Sequence, residues 1–424
     1  MIVPECGLIH GEVVLAKRAT FVLDEVLAHF DELDDPRSPV NLLHPLPRGI
    51  VVALLPVLSN PDGPTAIHIR AEARAELLLK CLPLPHRIPS KDVFRRVLMA
   101  VDPLAFQQCF MAWLEELKRA SAGAAEDNRD KPVLAIDGKT LRRSFDRSNG
   151  LGAMHLVSVW MTQAGMTLAQ VATEEKSNEI TAIPELLKLI DCAGAIITID
   201  AMGTQTAIAE QITASGADDV LPVKGNQSGL QQAVVEFIDE HVNIDFRGTG
   251  ARRHVDKEKS HGRLDQRVYW QFPVPADLAG RKRWAGLKTI GVVVYESQCG
   301  DGRHKTKIRY FISSLPMGVK QFARAVRSHW QIETTCHWSL DLTYREDELR
   351  VRERRLEENL AWLRRLTLSL LKQHPGKQSL IMKRRMCGWN GDFLLQVLLS
   401  QTTWYAVAVV LHRRAPYKKP YKDD

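Results

Sequence analysis

Residues 133–139 read Val133-Leu134-Ala135-Ile136-Asp137-Gly138-Lys139, a short apolar run that ends on an acid. Ala195-Ile196-Ile197-Thr198-Ile199-Asp200 repeats the arrangement and is followed by Ala201-Met202-Gly203. Runs of this length bounded by turn residues predict buried strands. A carboxylate at the mouth of such a strand is costly if buried and unpaired, so each acid is either exposed at a sheet edge or neutralised by a cation. Taken alone, Asp137 before Gly138 is an ordinary turn former. Two strands that end alike gain meaning once one sheet sets them side by side.

The intervening elements predict that sheet. His155–Thr162 and Thr167–Thr173 read as strands joined by the turn Gln163-Ala164-Gly165. Ile180–Ile190 reads as a helix, with Ser177 and Asn178 upstream as caps and Pro184 in its first turn. A second helix, Thr204–Ala214, closes at Gly216 and leads to a strand at Val220–Val223. The order β-β-β-α-β-α-β predicts an α/β fold with a mixed sheet, antiparallel on one side and parallel on the other. RNase H-like nucleases have that order. Its first and fourth strands are neighbours, which brings Asp137 to Asp200, and so close a carboxylate pair invites a divalent cation because repulsion otherwise raises one pKa.

Glu333 lies in His329-Trp330-Gln331-Ile332-Glu333, within a predicted helix over Val319–Leu340, where helical spacing puts His329, Glu333 and His337 on one face. Aromatic packing of a partly exposed helix would give the same pattern, and the two histidines alone would suggest zinc. Three carboxylates favour Mg2+ or Mn2+, since hard ions suit oxygen ligands. Two such ions suit phosphodiester chemistry, one activating the attacking water or hydroxyl and the other steadying the leaving oxygen.

A chain of 424 residues exceeds one ordinary domain. Residues 1–125 predict a helical N-terminal domain suited to binding DNA ends, with apolar helical spacing at Thr20–Leu33 and Leu104–Arg119 and a charged linker at Ser121–Lys131. Residues 130–243 form the first part of the core. Residues 244–316 predict a basic β-rich insertion, with strands at Val268–Phe272, Lys288–Tyr295 and Ile308–Ser313. Residues 317–375 predict the helical end of the core, carrying Glu333 and an amphipathic helix, Arg350–Lys372, with an Arg-rich face. Residues 376–424 are a C-terminal extension that ends in a loose tail, Tyr417–Asp424.

Lys and Arg number 57 against 50 Asp and Glu, a balance that leans toward an anionic partner. Between Ala251 and Tyr310 there are fourteen Lys and Arg against six Asp and Glu, so this stretch carries the whole surplus. The seven cysteines form no CxxC pair, so neither a zinc knuckle nor a disulfide framework is signalled. The N-terminus lacks the pattern of a secretory signal, and the longest apolar runs, around Ile50–Leu58 and Trp404–Leu411, are too short to span a bilayer. The expectation is a cytoplasmic protein with no membrane partner.

Several segments together resemble one family. Ala135–Ser144, Glu175–Pro184, Thr198–Gln205, Lys224-Gly225-Asn226-Gln227, His261-Gly262-Arg263 and His329–Glu333 occur in the order found in bacterial insertion-sequence DDE transposases of the ISAs group, also called H-repeat-associated proteins. The likeness runs from about Asp35 to Arg365. It implies that Asp137, Asp200 and Glu333 are the catalytic, metal-binding triad, with a β-rich insertion between the second and third acids. Related transposases carry Tyr, Arg, Glu and Lys around the third acid; here those positions read Val326, His329, Glu333 and Leu340, so only the Glu carries over. Asp341 and Asp347 are nearby rivals for the third ligand.

Candidate DNA contacts are Lys139, Arg142 and Arg143 beside the first acid, Lys224, Asn226 and Gln227 after a core strand, His261, Arg263 and Arg267 in the insertion, and His329. His254, Lys257 and Lys259 belong to the same basic hairpin, near Tyr269 and Trp270. Each group also reads as a solvated loop or hairpin, and the Arg350–Arg365 stretch as a salt-bridged surface. The leading expectation is a transposase that cuts at its element's terminal inverted repeats and joins a 3′-hydroxyl to target DNA, working as a homodimer on DNA. A hydrolytic nuclease and an inactive DNA-binding remnant of a mobile element are the alternatives.

Overall fold

A computed structural model describes residues 24, 27–40, 42–59, 63–121, 130–173, 179–260, 263–299 and 303–399. The first part of the Thr20–Leu33 helix apart from Asp24, most of the Ser121–Lys131 linker, Ser177, Asn178, His261 and the C-terminal tail lie outside these residues. Five helices come first: α1 (Leu46–Val57), α2 (Pro64–Glu72), α3 (Ala75–Cys81), α4 (Lys91–Ala100) and α5 (Pro103–Ser121). Asp102 starts α5, its carboxylate accepting from the Ala105 N–H at 2.8 Å, the usual way an acid satisfies a helix's first free donors.

The core follows in the predicted order: β1 (Val133–Thr140), β2 (His155–Met161), β3 (Met166–Thr173), α6 (Glu179–Leu189), β4 (Ile196–Thr198), α7 (Thr206–Ala214) and β5 (Asp218–Val223). Then come α8 (Ser228–Val242), β6 (Arg252–Ser260), β7 (Arg263–Pro273), β8 (Thr289–Cys299) and β9 (His304–Ser313). All nine strands form one sheet in the order β3-β2-β1-β4-β5-β9-β8-β7-β6. The basic stretch therefore continues the core sheet, with β9 antiparallel to β5. Apolar alternation gives no sign of strand β6, since Arg252–Ser260 is charged on both faces, but the hairpin reading of His254, Lys257 and Lys259 fits its antiparallel pairing with β7.

Strand period two gives the sheet two different faces. Leu134, Ile136, Ile197, Ile199 and Leu221 join the main core with Ile183 and Leu186 of α6 and Ile208 of α7. Val133, Ile196 and Val220 point the other way, into a second core with Tyr269, Val293 and Phe311. Helix α9 (Val319–Gln331) covers that second face through Phe322, Ala323 and Val326, at the three- and four-residue spacing of an amphipathic helix. It crosses β6, β7, β5 and β4 and reaches β1.

The sequence predicts one helix to Leu340, but the chain widens into a π-helical turn at Ile332–His337 and resumes as α10 (Trp338–Leu342). Such turns often mark functional sites. Helix α11 (Arg354–Gln373) is not the Arg-rich surface expected from sequence: it is buried along nearly its whole length. It packs between β3 and the N-terminal helices α1, α4 and α5. The Trp362 ring meets Phe110 edge-on at 6.2 Å, and the Asn359 amide donates to the carbonyls of Leu98 and Val101 at 2.9 and 3.0 Å. Two short helices, α12 (Leu380–Trp389) and α13 (Gly391–Leu399), pack against α11 from the C-terminal side. Among the described residues no helix is long and apolar enough to cross a membrane.

Candidate active site

Register explains how two distant acids meet. Strands β1 and β4 run parallel, paired from Val133 with Ile196 to Ala135 with Thr198. Asp137 and Asp200 each stand two residues beyond the last pair, so they occupy matching positions and emerge on the same face. That is the face α9 covers. Asp137 is not at a strand end, as its sequence suggests: β1 continues against β2 as far as Thr140, and Asp137 sits opposite Ser158.

Gly138 is therefore no turn residue. A Cβ there would collide with the His155 ring and the Glu179 carboxylate. The His155 Nε2 lies 2.7 Å from Glu179 Oε1 and its Nδ1 lies 2.9 Å from Thr140 Oγ1, all behind Asp137. The sequence reading missed this pair; the invitation to look was a glycine placed inside a strand, which often marks a close approach.

The helix that covers the face supplies the third acid between two histidines. His329 Nδ1 lies 3.1 Å from Thr198 Oγ1, on β4. His337 Nδ1 lies 3.5 Å from Asp137 Oδ2, on β1. Burial pushes His329 down to about 4, and Arg309 and Lys224 push the same way. Burial, with Arg365 and Lys139, takes His337 to about 3. The two imidazoles reach different strands, His329 to β4 and His337 to β1.

The three acids repel one another pairwise. Burial raises the Asp137 carboxyl to about 7, and the charges of Glu333 and Asp200 add to it against the Gly138 N–H. Glu333 opens to solvent, yet the neighbouring protein desolvates it enough to raise its pKa; Asp200 reinforces this while Arg309 and Lys224 oppose it. Asp200 is steadied by the Gly203 N–H at 3.1 Å. Among the described residues no three His, Cys, Asp or Glu side chains are grouped tightly enough to enclose an ion as they stand. The donor chemistry nonetheless fits a divalent cation: three carboxylates, hard oxygen donors, face one another and destabilise each other's charge.

Other expected contacts are differently employed. Lys139 is not a free cation but is buried between Asp341 at 2.6 Å, Asp347 at 2.9 Å and Glu346 at 3.9 Å. Glu346 in turn receives Arg365 at 2.9 Å and Arg364 at 3.6 Å from α11. Burial works against the Glu346 carboxylate, but Arg365, Lys139 and Arg364 outweigh it and hold its pKa low. Arg345 makes the turn that sends Glu346 inward, with φ of 51°, a left-handed conformation uncommon for a residue with a side chain. Asp341 and Asp347 are thus partners of Lys139.

Asn226 and Gln227 donate to the carbonyls of Ala201 at 2.5 Å and Thr204 at 3.0 Å, bracing the loop after Asp200. Arg142 is exposed and reaches Asp347 at 3.0 Å; Arg143 and Lys224 are exposed. Arg267 pairs with Glu258 at 2.9 Å and Arg263 with Asp265 at 3.0 Å, while His254 meets Asp256 at 2.8 Å. Arg309, which the sequence reading passed over, lies 4.3 Å above the Trp330 ring and faces Glu333.

Comparison with known proteins shows the family. Residues 128–370 match the family described as Transposase DDE domain, and residues 27–114 match the associated region described as DDE_Tnp_1-associated. The chain belongs to the DDE transposase family. It is 33% identical to "H repeat-associated putative transposase YhhI" of Escherichia coli (strain K12), over 89% of this chain and 98% of that protein. It is 35% identical to "Putative transposase YncI" of Escherichia coli O157:H7, over 89% of this chain and 95% of that protein. A solved piggyBac transposase synaptic complex with hairpin DNA is 11% identical with a TM-score of 0.38, over 96% of this chain and 83% of that one. Membership in the DDE family implies dependence on divalent metal.

Two outcomes follow from the charge arrangement. The folded Asp137 carboxyl titrates near 7 against an ordinary 3.8, so between those pH values folding takes up a proton and stability falls as pH rises. In EDTA at pH 8, Asp137→Asn is expected to be more stable than the natural protein by roughly 2–4 kcal/mol in urea denaturation, and Mg2+ should narrow the difference. Lys139→Met, which strands buried acids, is expected to cost roughly 3–5 kcal/mol; a DNA-contacting lysine would instead weaken DNA binding and leave stability unchanged.

Proposed function

We propose that the chain is a DNA transposase that cuts at the ends of its element and joins the freed 3′-hydroxyl to target DNA. The observation that carries this reading is the meeting of Asp137, Asp200 and Glu333 from two strands and a helix on one sheet face, each within electrostatic reach of the other two. The reading places these acids on an RNase H-like core as ligands of divalent cations, Mg2+ or Mn2+ and two in number. Bound there, such ions would lower the pKa of the attacking water or hydroxyl and stabilise charge on the leaving oxygen.

The chain's own groups prepare the place. Asp137 must lose its proton before it can ligate, so activity should rise with pH, at a midpoint below the metal-free value of about 7 that falls further as Mg2+ is raised. The neutral imidazole of His337 beside Asp137 adds no positive charge to compete with a metal. Gly203, braced indirectly through Asn226 and Gln227, fixes Asp200, while Arg309 and Lys224 flank Glu333 with positive charge suited to a phosphate. Arg142 and Arg143 stand exposed on the loop after β1 and are read as further phosphate contacts. Joining requires two ends to be held together, so the working form is taken to be a homodimer on DNA.

The test uses a duplex oligonucleotide carrying the inverted repeat that flanks the coding region. With Mg2+ it should be nicked at the element's end and joined to a second duplex; nicking without joining would favour a nuclease. Asp137→Asn, Asp200→Asn and Glu333→Gln should each reduce cleavage by at least about 100-fold. Full activity in any of the three removes that residue from the site.

A further inference from the structure

Beside Glu333 the protein opens a groove of about 690 Å³ between the β7–β9 sheet face and helix α9. Seven Lys or Arg side chains line it and no Asp or Glu does. Three of the seven, Lys305, Lys307 and Arg309, alternate along one face of β9, and Arg303 immediately precedes the strand. Period-two geometry sends the three strand residues to one side, about 7 Å apart, a spacing comparable with that of neighbouring phosphates on one nucleic-acid strand.

Lys305 and Lys307, in the middle of the row, are not consumed by pairing with described residues. Glu258 engages Arg267 and Arg327 on the β6 side of the groove, but among the described residues neither Lys305 nor Lys307 has an acidic partner, and both are exposed. Thr334, next to Glu333 in the chain, and Trp330, one turn before it, also line the groove, and Arg309 at the end of the row faces Glu333, so a strand lying along β9 from Lys305 toward Arg309 would approach that acid.

We infer that this groove binds the sugar-phosphate backbone of DNA through the β9 row and leads that strand to the three acids. The inference rests on the transposase reading and deepens it by assigning a path for the substrate. It also moves the main contact surface of the basic stretch from the β6–β7 hairpin to β9. Lysines and arginines dominate the lining of the groove and no acid interrupts them, so the contact should be strongly dependent on salt.

The experiment measures binding of a fluorescent mixed-sequence duplex by anisotropy over a range of salt, in EDTA to prevent cleavage. Lys305→Ala/Lys307→Ala should weaken binding about tenfold at low salt and make the log–log salt slope shallower by about two, since each phosphate contact contributes about 0.9. Lys305→Arg/Lys307→Arg should bind as the natural protein does. Should the alanine pair lose its thermal midpoint, Lys307→Gln alone should lower the slope by about one. Unchanged affinity and slope in a folded variant overturns the groove assignment. That failure is separable from failure of the transposase reading, in which the natural protein would neither bind the duplex nor nick an end substrate with Mg2+.

Discussion

Repulsion among three carboxylates is the constraint around which this molecule is arranged. Like charges gathered in a partly buried place are unstable unless something offsets them, and burial, reinforced by the charges of Glu333 and Asp200, pushes the Asp137 carboxyl to about 7. The fold holds the acids there regardless. Parallel pairing of β1 with β4 fixes Asp137 against Asp200, and α9, anchored over the second core, delivers Glu333. A π-helical turn falls at the point where the helix must present Glu333 between His329 and His337 while keeping Ile332 and Cys336 in the interior.

Charge alternates outward from this centre. On one side Lys139 is buried two residues beyond Asp137, held by Asp341, Asp347 and Glu346, and Glu346 is held by Arg364 and Arg365. Buried ion networks contribute little net stability over an apolar core, but breaking one is expensive, which makes them good at fixing a geometry. This one ties β1, the segment after α10 and α11 together, and so sets the spacing between the strand bearing Asp137 and the helix bearing Glu333. On the open side Arg309 and Lys224 face the acids, and the β9 row continues the positive surface away from them.

Much of this was legible in the sequence. The element order of the core, the adjacency of β1 and β4 and the shared face of the acids follow from apolar runs, turn residues and strand period, because local pattern dominates where both sheet faces are buried. The failures have physical causes. Asp137-Gly138 looks like a turn, but glycine serves there to admit His155 and Glu179. Lys139, Arg364 and Arg365 look like surface charges because charge alone does not reveal that partners distant in sequence meet them in the interior. The β9 row was visible as alternation in Arg303-His304-Lys305-Thr306-Lys307-Ile308-Arg309, yet it was passed over because an exposed strand of alternate cations is also an ordinary solvated edge.

The central claim is that the three acids share divalent cations, and the measurement that reaches it most directly is anomalous scattering from crystals of the protein grown with duplex DNA and Mn2+. The account predicts manganese peaks bounded by the carboxylates of Asp137, Asp200 and Glu333, drawn closer together than they stand without metal. Manganese bound elsewhere, or those carboxylates remaining apart with no ion between them while DNA is held, would contradict it.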